Sequence, residues 1–272
     1  MTTIQHEIVQ NTKLLRVVDR QDVMQLYNEF LVFRRAILQK DYKIDAKPTI
    51  LREKLLCANE IYLWEEKKIL IDSEVEPSEW VAHGGTHFIQ HLNGAIDSAK
   101  ASSGNADYAV YVTRIAAANA QQILVGVLIE PEAYLSGIMF RRQVIDQNDG
   151  KSVLVELCDK LYTILGFYPE FSGIFESIYD NIRLGKISSI PQDAVKICYH
   201  HKIEEFVGNR FVAFMGDFIG IAVASLILIS TNQDEKEALR ILSSGHTKII
   251  GAIKNMKPEE IQNLKQLFVT TR

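Results

Sequence analysis

Cysteine is scarce in this 272-residue chain, and its three copies, Cys57, Cys158 and Cys198, lie far apart in apolar or amphipathic stretches. An odd, dispersed set of this kind builds neither a disulfide framework nor a zinc knuckle. It reads as buried thiols in a reducing compartment. Proline is equally sparse: the six, at 48, 77, 131, 169, 191 and 258, all fall next to plausible element boundaries and leave long stretches free to be helical. No charge of one sign dominates. Thirty basic and 34 acidic residues give a net charge of −4, so bulk electrostatics recruit neither nucleic acid nor an anionic membrane. The start, MTTIQHEIVQNTKLL, lacks a basic segment followed by an apolar stretch of signal-peptide length, so cytoplasmic residence is the expectation. Also missing are a Gly-x-Ser-x-Gly elbow, a phosphate loop, an H-E-x-x-H helix and a dinucleotide fingerprint, which removes support from the common hydrolase, nucleoside-triphosphatase and oxidoreductase readings. The absence of repeats, heptads and low-complexity tracts excludes solenoids and coiled coils.

What the chain does have is one long apolar run, FVAFMGDFIGIAVASLILIS at 211–230, interrupted by Asp217 and a row of small residues. A run of this length suits either a membrane-crossing helix or the buried central helix of a helical domain. Asp217 and the glycines weigh against a span, because an ionised carboxylate in hydrocarbon must be paired, hydrated or neutralised. The leading expectation is therefore a mainly α protein, a multi-helix globular fold around a central apolar helix at 211–230. Membrane association through that segment is the competing localisation. Gly216, Gly220 and Ala224 recur every four residues on one face, beside Asp217. Such a face lets another backbone come close, which makes these four the candidate binding residues, for a protein partner or a second copy of the chain.

Elsewhere the periodicity is helical. Val23, Leu26, Tyr27, Phe30, Leu31, Ile37 and Leu38 follow the candidate cap Asp19 and predict an amphipathic helix of about six turns, with Arg20, Gln21, Gln25, Asn28 and Arg35 solvated. Ser189-Ile-Pro-Gln192 matches a capping box, Asn232-Gln-Asp-Glu235 repeats its logic, and Pro258 opens a short terminal helix carrying Ile261, Leu264, Leu267 and Phe268. Two places admit β structure in the N-terminal half. Residues 60–71 alternate as a strand would, and 106–130 reads either as a hairpin or, preferably, as one long helix rich in alanine and glutamine. Polar joints stand at 100–105 and 147–151. The second of these separates an N-terminal helical region, 1–147, from a C-terminal one, 148–272, unless the whole is a single domain.

Three patterns carry potential chemistry. His83, His87 and His91 in HGGTHFIQH recur every fourth residue, with Glu79 one step earlier; each such step turns a helix by about 40°, giving a stripe of imidazoles able to share a transition metal. The alternative is a polar, partly packed helix flank beside an apolar face carrying Trp80, Val81, Phe88, Ile89 and Leu92. Arg240 and His246, in RILSSGH, form the second pattern. It resembles the arginine-to-histidine motif of HEPN ribonucleases, all-helical proteins of toxin and anti-phage systems. That resemblance implies RNA cleavage, with His246 in acid–base work and Arg240 on the phosphate, in a site completed by dimerisation. Third, Glu65 and Lys67 form the E-x-K pair used by metal-dependent nucleases, without a convincing partner aspartate upstream of the kind Asp45 would have to be. These features favour an intracellular helical protein that binds or self-associates in a regulatory role. A HEPN-like ribonuclease and an effector inserting 211–230 into membranes are the alternatives.

Overall fold

The computed structural model describes residues 22–39, 46–55, 58–63, 65–95, 114–145, 150–167, 180–181, 184, 209–257 and 259. Among them are seven helices: α1 (Val23–Leu38), α2 (Pro77–Leu92), α3 (Arg114–Ile145), α4 (Val153–Phe167), α5 (Asn209–Ser230), α6 (Glu235–Ser243) and α7 (His246–Lys254). Three strands, β1 (Thr49–Glu53), β2 (Glu60–Leu63) and β3 (Lys68–Asp72), make one small sheet in the N-terminal half. The fold is thus mainly α with a minor sheet. The chain divides into two compact units, 1–88 with 136–149 and 89–135 with 150–272.

In the first unit α1 starts at Asp22, whose Oδ1 accepts from the backbone N–H groups of Met24 and Gln25 at 3.0 Å. The cap is therefore Asp22 and not the expected Asp19, which lies outside the described residues, and the helix is correspondingly shorter. Its apolar face is buried as the spacing predicts except at Leu31, which is half-buried, and Gln25, Asn28 and Arg35 are exposed. Gln39 ends it in the left-handed region at φ 52, donating its N–H back to the Arg35 carbonyl. Phe30 and Phe33 pack their rings against Phe140 of α3, each with centroids 5.6 Å apart, while the buried Arg34 donates to Ser136 Oγ at 3.3 Å.

The stretch 60–71 is a hairpin rather than one strand. β2 and β3 pair antiparallel around a turn in which Lys67 takes φ 51, and β1 joins the far edge of β3 in parallel. Alternation along 60–71 is real, but a turn at 65–67 reverses the chain, so the Glu65–Lys67 pair lies on a turn and not on a strand. Two local devices fix the exit from β3. The Arg52 guanidinium donates to the carbonyls of Ser73 and Val75 at 2.7 and 2.8 Å. The Asp72 carboxylate accepts from the backbone of Glu74 at 2.7 Å and of Leu55 at 3.1 Å, and these bonds, Glu74's first, hold its pKa below the ordinary aspartate value. Glu76 then caps α2, accepting from Ser78 N–H and Oγ, with Pro77 in the first helical position where its missing donor costs nothing.

In the second unit α4 buries Val153, Leu154, Leu157, Cys158, Leu161 and Ile164, and packs against α5, as do α6 and α7. Every described residue of α5 from Phe218 to Leu228 is buried. Among the described residues, no helix is long and apolar enough to cross a membrane. α6 is capped by Asp234, whose Oδ1 accepts from Lys236 and Glu237 N–H, not by Asn232; Asn232 and Gln233 instead occupy the left-handed region at φ 52 and 64 and turn the chain. Gly245, at φ 91, separates α6 from α7.

Helix α3 overturns one boundary. Pro131 sits inside it, although proline deletes the donor to the carbonyl four residues back, a cost of about 3 kcal/mol. Continuous burial explains the tolerance: from Ile129 to Phe140 only Glu130 is less than buried, so ending the helix there would expose more apolar surface than the lost bond costs. The long helix, and not the hairpin, is the state of 114–130. Residues 106–113, the joint at 100–105, the capping box at 189–192 and the terminal segment at 260–268 lie outside the described residues.

Candidate metal centre

Strand alternation sends Glu60 and Tyr62 to the same side of β2, where their cross-strand neighbours on β3 are Ile71 and Ile69, both fully buried. Helix α2 lies against this face, and the glycine pair of the HGGTH segment makes that approach possible. A Cβ at position 84 would stand 2.7 Å from both Glu60 Oε1 and Ile69 Cγ2, and one at 85 would stand 3.0 Å from the Phe30 ring of α1. Any larger residue at 84 would push the helix off the strand that carries Glu60. The two glycines thus lodge α2 between sheet and α1, and the flanking histidines are carried inside with it.

His83 Nδ1 lies 2.9 Å from Glu60 Oε2, with both side chains at most 7% exposed. A carboxylate only accepts, so the contact places the proton on Nδ1. The His83 and His87 rings meet edge to face at a centroid distance of 4.7 Å, and a nitrogen of one lies within 4.8 Å of a nitrogen of the other. Tyr62 stacks on His87 at 6.3 Å, and Trp80 covers His83 at 5.8 Å. Burial pushes the Tyr62 phenol up to about 12, with the Glu60 charge adding to it. Burial also raises Tyr27, on α1, and a charge on Tyr62 would raise it further. The buried Glu60 Oε1 and the buried Tyr27 hydroxyl find no hydrogen-bond partner among the described residues.

The stripe of three histidines therefore resolves into a buried pair, His83 and His87, and a half-buried His91 in the last turn of α2. The carboxylate that meets His83 is Glu60. Glu79 forms an ion pair with Arg141 of α3, Nε to Oε2 at 3.4 Å, and Gly137 lets α3 come close to the Glu79 carbonyl, where a Cβ would stand at 3.0 Å. Glu60 was not legible as a site residue, because its histidine is 23 positions away on another element. The one available signal was a glutamate at an inward position of an alternating strand.

The remaining candidates are placed as follows. Gly220 faces α3: a Cβ there would overlap the Glu130 side chain and stand 3.3 Å from its carbonyl carbon, so close approach is used within the chain. Ala224 is fully buried, Gly216 is buried with no described atom within 4 Å of a Cβ built on it, and Asp217 is half-buried. Arg240 lies on α6 with its guanidinium 3.3 Å from Glu237, and His246 opens α7 beyond Gly245. Asp45, Cys57, Cys198, His200 and His201 lie outside the described residues.

No known protein family, curated protein or solved structure matches this chain.

Proposed function

We propose that the protein acts by binding, and that its ligand site is the buried cluster of Glu60, Tyr62, His83 and His87 in the first unit. The observation that carries this reading is a carboxylate oxygen, Glu60 Oε1, enclosed without a hydrogen-bond partner among the described residues, in a core otherwise built from Phe30, Phe88, Ile69 and Ile71. A buried polar group left in that state costs about 1–3 kcal/mol, and more when charged. A bound group that supplies positive charge or a donor would offset the cost. Packing alone gives no reason to keep it.

Native mass spectrometry of the intact chain, purified without chelator, tests the reading. The folded protein should weigh more than its sequence, and the excess should vanish in Glu60→Leu. If the native mass equals the sequence mass and Glu60→Leu unfolds at higher denaturant than wild type, the carboxylate is only a packing defect and the binding reading fails.

A further inference from the structure

We infer that the group bound at this cluster is a single divalent transition-metal ion, held by one ring nitrogen each of His83 and His87, with Glu60 as the residue that orients His83. The inference rests on the binding reading above and names its ligand: the ion's positive charge reaches the Glu60 carboxylate through the His83 imidazole, without ligation by Oε1. Two imidazoles one helical turn apart are a standard way to offer a metal two nitrogens from one rigid element. At a tetrahedral metal with bonds of 2.0–2.1 Å, two such nitrogens stand about 3.4 Å apart. One nitrogen of each ring lies within 4.8 Å of one of the other, so the two side chains have to draw closer to share an ion.

The contact between Glu60 and His83 supplies the independent sign. Metal-bound histidines characteristically donate their other ring N–H to a carboxylate, which fixes the tautomer and raises the basicity of the ligating nitrogen. Glu60 does this for His83 through Nδ1 at 2.9 Å, from a different element and with both partners buried, and so leaves Nε2 as the ligating atom. Tyr62 stacked on His87 and Trp80 beside His83 restrict both rings and keep bulk water away. The set holds imidazoles and a carboxylate but no thiolate, which suits zinc, cobalt, iron or nickel and disfavours copper(I).

The test uses the full chain, stripped with chelator and then titrated with Zn²⁺ by calorimetry and with Co²⁺ by its visible absorption. One equivalent should bind, with a Co²⁺ spectrum of low-symmetry nitrogen and oxygen ligation. His83→Gln and His87→Gln, checked by circular dichroism to be folded, should each lose binding. Glu60→Gln keeps an acceptor for Nδ1–H but loses the charge, and should weaken binding by about 10–100-fold while retaining the stoichiometry. Uptake that survives in both folded histidine variants overturns the site. A bound mass that proves to be organic, with no uptake of either metal, overturns the metal and leaves the binding reading standing. Neither bound mass nor metal uptake overturns both.

Discussion

Two glycines in the same helix should respond to alanine with opposite signs. Gly216 and Gly220 lie one turn apart in α5, and replacing either by alanine removes the same backbone freedom from a helix interior, a gain of about 1 kcal/mol. Their surroundings differ. At Gly216 no described atom lies within 4 Å of a new Cβ, so no described neighbour subtracts from the gain. At Gly220 the Cβ collides with Glu130 Cβ and stands 3.3 and 3.4 Å from that residue's carbonyl carbon and Cα. These are helix backbone atoms and cannot swing aside, and Pro131 directly after them fixes the local φ. Overpacking of this kind costs about 1–3 kcal/mol, which leaves Gly220→Ala between neutral and about 2 kcal/mol less stable than wild type. Gly220→Leu should lose more. Equilibrium urea denaturation followed by circular dichroism reads the difference as shifted midpoints at constant slope. Equal stabilisation by both alanines would mean that α3 and α5 do not meet at Gly220, and the close approach would have to be abandoned.

Two further outcomes concern ionisation. The Tyr62 phenol is pushed up to about 12 from 10.0, so its contribution to stability is fully present below pH 10 and is lost as pH rises through its folded value. Tyr62→Phe should therefore lose less stability than wild type above pH 10, and alkaline unfolding monitored by phenolate absorbance that is identical in the two proteins would refute this. The Cys158 thiol is likewise pushed up to about 12, by burial with Asp159 adding to it. In a Cys57→Ser/Cys198→Ser background it should react with a disulfide reagent at neutral pH only at the rate of opening or unfolding, and fast labelling of the native protein would place it at the surface.

Periodicity was enough to place α1 and α2, because each carries its apolar residues at intervals of three and four and the pattern needs no knowledge of the partner, whereas α5 was legible from the length of its apolar run. Caps were less legible. At Asp22 and Asp234 the capping aspartate stands two or three residues from the one a simple motif selects, since Asp19, Asp22, Asn232 and Asp234 are chemically equivalent and backbone geometry alone chooses among them. Pro131 misled for a different reason: its local cost is visible in sequence, whereas the burial that offsets it belongs to the packed state. β1 gave no alternating signal long enough to detect, being five residues that pair only with a strand further along. The histidine pair was legible as a spacing. Glu60 was not, because the contact depends on which side of β2 faces α2, and that is decided by the register of the hairpin.

The order β1-β3-β2 has a consequence for the chain as it leaves the ribosome. The middle strand is the last of the three to be made, and it supplies every ladder bond that the other two form. About fifteen residues separate the end of β1 from the start of β3, so at about 5–20 residues per second β1 spends on the order of a second with both of its edges bare. β2 can close onto β3 as soon as β3 is made, on a timescale of about microseconds, whereas β1 must be recruited afterwards to the opposite edge. β1 carries Glu53 and Arg52 beside its apolar residues, charges that discourage pairing with strangers during that interval. Since Glu60 is delivered to His83 by the β2–β3 hairpin, the half of the sheet that closes first is the half that assembles the site.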